Sequence, residues 1–448
     1  MEGSPGKGDS IIMWWLPFIY IFGGLVILLG LGIPVGFAFL IINLLGTYFF
    51  MGGEGGLLTI ALYVYDSLAS FTLLPVPLFI LMGEFLFNSE ISKDALDVFD
   101  QWMGRIPGRL GLVTVAGGVL FAFLSGSAIA SAAALGTLLL PEMTRRGYNK
   151  VLSMGCIMGS GQLAVIIPPS LLIVILGNLA DISVAKLLVA GVIPGIFLAA
   201  IFASYIIIRC WVNTSLAPTF DVARLPIYKK LMMTVHYLLP LGAVIFLVLG
   251  VIFFGIATPS EAAGLGAMGS MVLGMFYGKF SWNMLKKSLS GTARTSGTIL
   301  IILSGSTTFS QVLSFTGASR GLVEAVKGLQ LSPLSILIGM IVVWIILGCI
   351  IDQVSIMMIS IPIFMPLART LGFEPLWFGI IALITIEMGV KTPPFGLLLF
   401  VMKGVAPPDT TMKEIIQAAT PFIIMDLICV GLLICFPIIT QWLPKLMG

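Results

Sequence analysis

Four short segments of this 448-residue chain place oxygen donors at expected turns or helix breaks, in ways suited to binding small ions. The first is Ser125-Gly126-Ser127. The second runs from Gly159-Ser160-Gly161-Gln162 to Ile167-Pro168-Pro169-Ser170. The third centres on Asp352, and the fourth is Glu387-Met388-Gly389-Val390-Lys391-Thr392-Pro393-Pro394. Proline withdraws a backbone N–H and glycine lets the chain turn, so the first, second and fourth are expected to interrupt helices and release carbonyl oxygens, while the third is read as a hairpin turn near Cys349-Ile350-Ile351-Asp352-Gln353. Carbonyl, hydroxyl and carboxylate oxygens are the hard ligands that a cation such as sodium takes. Helices restarting after the two proline pairs offer N–H groups and a positive dipole end to an anion. Pro168, Pro169, Ser170, Pro393 and Pro394 are therefore candidates for holding a substrate carboxylate.

Charged residues inside apolar stretches add to this set, because they are costly there and usually functional. Asp352 reads either as an ion ligand or as a carboxylate capping a half-helix. Glu387 and Lys391 stand four residues apart, which suits an internal helix salt bridge. The alternative is that Lys391 attracts the substrate's carboxylate. Glu84 is open to a structural or a functional reading. Thr258-Pro259-Ser260-Glu261 is best read as a capping box with proline at the first helical position.

These residues must be carried by membrane-spanning elements. Hydrophobic residues make up 58% of the chain and charged ones only 10%, which excludes a water-soluble protein. Long apolar runs point to helices rather than a β-barrel. Spans are expected near 11–31, 33–52, 57–87, 189–212, 237–256, 258–278, 296–316 and 415–440, and 150–180 and 375–403 are interrupted by Gly and Pro. Stretches 110–142 and 333–368 read as re-entrant hairpins. With the hairpins, sixteen of the 23 Lys and Arg residues fall on one side and six on the other, leaving Lys391 inside. That bias assigns the cytoplasmic face and puts both termini outside, in the periplasm. Residues 88–108 read as a helix lying in the cytoplasmic interface.

The chain is also duplicated. A shift of 225 positions superimposes Pro34 on Pro259, Pro141 on Pro366, Gly147 on Gly372, Pro168 on Pro393 and Pro169 on Pro394. The loop carrying Arg145 and Arg146 loses most of its charge in the second copy, where only Arg369 remains, as expected if that copy is inverted. The fold expected is an all-α polytopic membrane protein with two inverted-topology repeats, 11–212 and 237–440, joined by a cytoplasmic linker 213–236. Each repeat has a hairpin and a broken helix, the arrangement of secondary transporters.

The stretches SGSAIASAAALGTLLLPEMTRRGYNK, GQLAVIIPPSLLIVILGNLADISVAKLLVAGVIPG, GIATPSEAAGLGA and KTPPFGLLLFVMKGVAP resemble the large membrane subunit, DctM-like, of tripartite ATP-independent periplasmic (TRAP) transporters. The resemblance implies an elevator-type importer of small organic acids, driven by sodium, in a bacterial or archaeal inner membrane. It further implies a periplasmic substrate-binding protein and a small four-helix membrane subunit as partners. Carried over by residue, one sodium site falls at Ser125, Gly126, Ser127 and Gly161, and a second at Asp352, Gly389 and Thr392.

Other classes fit less well. His236 is the sole histidine and the five cysteines lack CxxC spacing, so no multi-His or zinc centre and no organic cofactor is expected. No nucleic-acid motif is present, and no GxxxxGK[ST] for an ATP-driven pump. An intramembrane protease is a distant alternative, since neither Ser319 nor Asp352 has an evident partner, so an enzyme is not expected. Proton coupling through Asp352 or Glu387 is the alternative to sodium.

Overall fold

The computed structural model describes residues 14–89, 91–104, 106–218 and 225–447, with only the backbone of Ser92. Expectations for residues 1–13, for Arg105 and for 219–224 lie outside these. Among the described residues, six helices of 18 residues or more are apolar enough to cross a hydrocarbon layer: Phe71–Asn88, Val184–Val212, Ile227–Phe253, Trp282–Phe315, Gln353–Thr370 and Met412–Cys435. Lys150–Ile166 and Leu171–Leu179 form a further candidate, bent by 48° at its break.

The expected span 57–87 is two helices, Glu54–Leu68 and Pro75–Asn88, with a short 3-10 turn at Phe71–Leu73 between them. Pro75 and Pro77 explain the division. Neither can donate to the preceding turn, and proline is favourable only where a helix starts. Helix Ile227–Phe253 begins well before the expected 237 and carries a π turn at Thr234–Leu238. Pro240 cannot donate to the His236 carbonyl, and the Tyr277 hydroxyl donates to that oxygen instead.

Element boundaries recur at the offset seen in the sequence. Hairpin arm Ala128–Arg145 is matched by Gln353–Thr370, and Lys150–Ile166 by Pro375–Gly389. Gly147 and Gly372 both adopt left-handed φ, at 75° and 81°. Thr258 and Glu261 make the expected capping box, with Thr258 N–H donating to Glu261 Oε2 at 2.8 Å. Thr411 and Glu414 make a second.

The chain divides into two compact units, each drawing on both sequence halves. One takes residues up to Phe71, Thr295–Val342 and Val354–Pro375. Its helices meet where Phe39 lies edge-on to Phe309 at 5.5 Å and Asn43 Nδ2 donates to the Gly305 carbonyl at 2.8 Å.

The other unit takes Thr72–Arg294, Val343–Gln353 and the chain from Leu376. Its centre is helix Lys150–Ile166, on which every residue from Leu152 to Ile166 is buried. Gly118 lets the first hairpin arm, Arg109–Ser125, approach that helix closely, since a Cβ there would lie 2.2 Å from the Ser160 carbonyl oxygen. The amphipathic helix Ile91–Met103, within the stretch expected at the interface, buries Ile91, Ala95, Leu96 and Val98. It is fastened to the hairpin by Arg109, whose Nε and Nη2 donate to Asp100 at 2.7 and 2.6 Å while Nη1 donates to the Gly104 carbonyl at 3.1 Å.

Asp100→Asn removes the carboxylate charge that the Nε and Nη2 of the largely buried Arg109 engage. The unfolding free energy in detergent should fall by about 2–3 kcal/mol, read from denaturant unfolding followed by tryptophan fluorescence.

Candidate functional site

The second unit brings each hairpin tip against a helix break. Ser125 ends the arm Arg109–Ser125, Gly126 turns the chain at φ 56°, and Ser127 caps the arm Ala128–Arg145 by accepting from Ala130 N–H at 3.4 Å. Ser125 Oγ lies 2.7 Å from Ser131 Oγ and accepts from Ser127 N–H at 3.3 Å. A Cβ on Gly126 would stand 3.1 Å from Leu171 N, so the tip touches the helix that restarts after Pro168-Pro169-Ser170. Gly161 faces the same hairpin: a Cβ there would meet Ala132 Cβ at 2.9 Å and the Ala128 carbonyl oxygen at 3.0 Å.

One expectation is corrected here. Residues 159–162 are helical throughout, so Gly161 provides close approach rather than a freed carbonyl. The break lies at 167–170. Pro168 and Pro169 stand four residues after Ala164 and Val165 and carry no N–H, so those two carbonyls lose their helical donors. Both residues are fully buried. Prolines at i+4 were the signal for them. Buried carbonyls without helical donors, beside serine hydroxyls, suit a small cation better than an anion or a soft metal. Ser170 uses its hydroxyl to cap Leu171–Leu179, accepting from Ile173 N–H at 3.4 Å.

The second tip meets the second break by the same device. A Cβ on Gly348 would lie 2.4 Å from the backbone of Gly389, and one on Gly389 would lie 2.9 Å from the Trp344 carbonyl oxygen. Cys349 Sγ lies 3.2 Å from two carbonyl oxygens, that of Pro393 across the contact and that of Ile345 four residues back. Asp352 precedes helix Gln353–Thr370 as Ser127 precedes Ala128–Arg145. Here the break satisfies its own backbone: Thr392 N–H donates to Gly389 at 2.9 Å and Leu398 N–H to Val390 at 3.0 Å. Thr392 Oγ1 donates to the Met388 carbonyl at 2.7 Å. The start of Leu397–Val405, expected to offer free N–H groups beside Pro393 and Pro394, therefore has Leu398 N–H already engaged.

Lys391 is fully buried and pairs neither with Glu387 nor with open space. Its ammonium contacts the Asp426 carboxylate and donates to Gln162 Oε1. Gln162 Nε2 donates in turn to Asp426 Oδ1 at 3.1 Å. The ammonium also lies 5.7 Å from the ring centre of Phe202, a cation–π distance. Glu387 is 1% exposed, and neither carboxylate oxygen has a hydrogen-bond partner among the described residues. The Glu387–Lys391 helix pair is thus not formed. Asp426 escaped the sequence reading, although a lone carboxylate within IIMDLICVGLL was a usable signal.

Glu84 serves as a tie between helices. Asn88 Nδ2 donates to its Oε2 at 3.0 Å and to Ser288 Oγ at 3.1 Å, and a Cβ on Gly291 would lie 2.6 Å from Glu84 Oε1.

Gly389→Ala should lower stability by about 1–3 kcal/mol by forcing apart the tip and the break. Gly404→Ala, with nothing within 4 Å of the added Cβ, should be neutral or stabilise by up to about 1 kcal/mol. Denaturant unfolding in detergent compares the two.

Comparison with known proteins agrees with this architecture. The family model of the tripartite ATP-independent periplasmic transporter, DctM component, matches residues 22–439. The C4-dicarboxylate TRAP transporter large permease protein DctM of Pseudomonas aeruginosa is 31% identical over 415 residues, covering 88% of this chain and 94% of its own length. The ectoine TRAP transporter large permease protein TeaC of Halomonas elongata is 27% identical, covering 94% and 97%. Among solved structures, that of the Alcanivorax borkumensis YdaH transporter superimposes with a TM-score of 0.64 at 12% identity, covering 87% of this chain and 91% of that one. This chain belongs to the DctM family, the large permease component of tripartite ATP-independent periplasmic transporters.

Proposed function

We propose that this permease imports small organic acids against their gradient by coupling to sodium. The observation that carries the reading is that each hairpin tip abuts a helix break through glycine, with buried carbonyls of Ala164 and Val165 lacking helical donors at the first. Sodium replaces such donors and requires no proton at the site. At the first tip it would be held by Ser125, Ser127 and those carbonyls, with Gly126 and Gly161 allowing the approach. At the second, Asp352, Gly389 and Thr392 are the candidate ligands. The positive charge gained would offset the cost of bringing a carboxylate to the midplane, near Pro168, Pro169, Ser170, Pro393 and Pro394.

The repeats are read as inverted, because the loop charge at Arg145 and Arg146 is largely lost in the second copy. Inversion gives the two hairpins opposite entry sides and places both termini in the periplasm. The tips and breaks would then travel together as the transport domain of an elevator. A periplasmic binding protein would deliver the acid, and a small four-helix membrane subunit would complete the scaffold. The relatives named for C4-dicarboxylate and ectoine support a solute class of small carboxylates.

The test is uptake of a radiolabelled C4-dicarboxylate by proteoliposomes holding the permease, its small subunit and the binding protein. Uptake should require an inward sodium gradient, and Asp352→Ala should raise the sodium concentration for half-maximal uptake about tenfold or more. Uptake driven by a pH gradient in sodium-free medium would instead establish proton coupling. A wild-type sodium response in Asp352→Ala would remove Asp352 from the site.

A further inference from the structure

Lys391 stands one residue before Thr392, and Gln162 one residue after Gly161. The ammonium therefore joins the second break, through Gln162 Oε1, to helix Lys150–Ile166 just before the first break, and joins both to helix Met412–Cys435 through Asp426. At the 225-residue offset the counterpart of Lys391 is Ile166, and that of Gln162 is Glu387. The cation is present in one copy only. From the turn beyond helix Pro375–Gly389 it reaches past Glu387, four residues back in the chain, to a carboxylate on helix Met412–Cys435. All members of the triad are buried, so water does not weaken the pair.

We propose that Lys391 is a positioning residue: its ammonium, held by Asp426 and Gln162, fixes loop 390–396 against the second hairpin tip and ties that loop to helix Lys150–Ile166, which leads into the first break. The position of Thr392 and of the Pro393 carbonyl then depends on a buried ion pair. Resting on the sodium reading, the inference adds that removal of the pair weakens sodium binding without removing any of its ligands. Buried ion pairs often contribute little net stability relative to an apolar replacement of similar size, so a positioning role is separable from a merely structural one.

Cys349 reports on the loop, because its Sγ lies 3.2 Å from the Pro393 carbonyl oxygen, with the Ile345 carbonyl as its alternative acceptor. Cys156, Cys210 and Cys429 are buried and report unfolding, and the exposed Cys435 is replaced by Ser. The full-length Cys435→Ser protein in detergent is alkylated with a maleimide in sodium chloride or choline chloride. Lys391→Met combined with Asp426→Leu removes both charges together. Gln162→Leu, an uncharged change, removes the hydrogen bonds that tie helix Lys150–Ile166 to Lys391 and Asp426 and leaves the ion pair itself.

Both variants should label Cys349 about fivefold faster or more in choline, with the three buried cysteines still protected. The sodium concentration that halves labelling should rise about tenfold, as when a group orienting metal ligands is lost. Labelling of Cys349 at the parent rate with the parent sodium response overturns the proposal. Labelling of all four cysteines together also overturns it, since that is the signature of a structural role alone. If the parent shows no sodium effect while the variants still expose Cys349 selectively, the sodium reading falls and the positioning role stands.

Discussion

A proline pair within an apolar helix creates a deficit that hydrocarbon cannot make good. Two carbonyls lose their donors, and each oxygen left bare in a nonpolar interior costs several kcal/mol, roughly, unless something else satisfies it. The architecture around the two breaks is an answer to that demand. The second break folds back on itself, so that Thr392 and Leu398 supply the missing N–H groups. The first break has no such return, and Ala164 and Val165 keep carbonyls that their own helix leaves without donors. Two breaks of like sequence thus resolve the same problem in two different ways.

Glycine decides where the tips sit. Gly126, Gly348 and Gly389 each occupy a position where an added Cβ would strike backbone rather than a yielding side chain. Backbone cannot rotate aside, so these contacts fix the distance between tip and break within a few tenths of an ångström. Gly118 against Ser160 does the same for the hairpin arm. The site is therefore built from main-chain contacts, with side chains adding charge and capping.

Much of this was legible in the sequence because it depends on local chemistry. The Thr258–Glu261 box, the tip at Ser125-Gly126-Ser127 and the break at Pro168-Pro169 follow from the conformational limits of the residues themselves. The 225-residue offset fixed the correspondence of helix ends without any structure. What stayed hidden depends on which helices become neighbours. Glu387 and Lys391 have the spacing of a helix pair, and only the position of helix Met412–Cys435 reveals that Asp426 takes the ammonium. Gly161 looked like part of a break because glycine is ambiguous: the same residue that opens a turn also admits a neighbouring helix. Pro75 and Pro77 divide an apolar run that hydrophobicity alone reads as continuous.

The lysine's lack of a counterpart has a consequence for how the chain finds its fold. Two halves with matching helix ends offer each other near-equivalent docking partners, and hydrophobic matching discriminates weakly between them. With Ile166 in one copy and Lys391 in the other, the choice is no longer degenerate. Any arrangement that sets Lys391 away from Asp426 leaves an uncompensated cation in an apolar interior, a penalty of roughly 3–5 kcal/mol. One substitution in one copy thereby tells a duplicated protein which half is which.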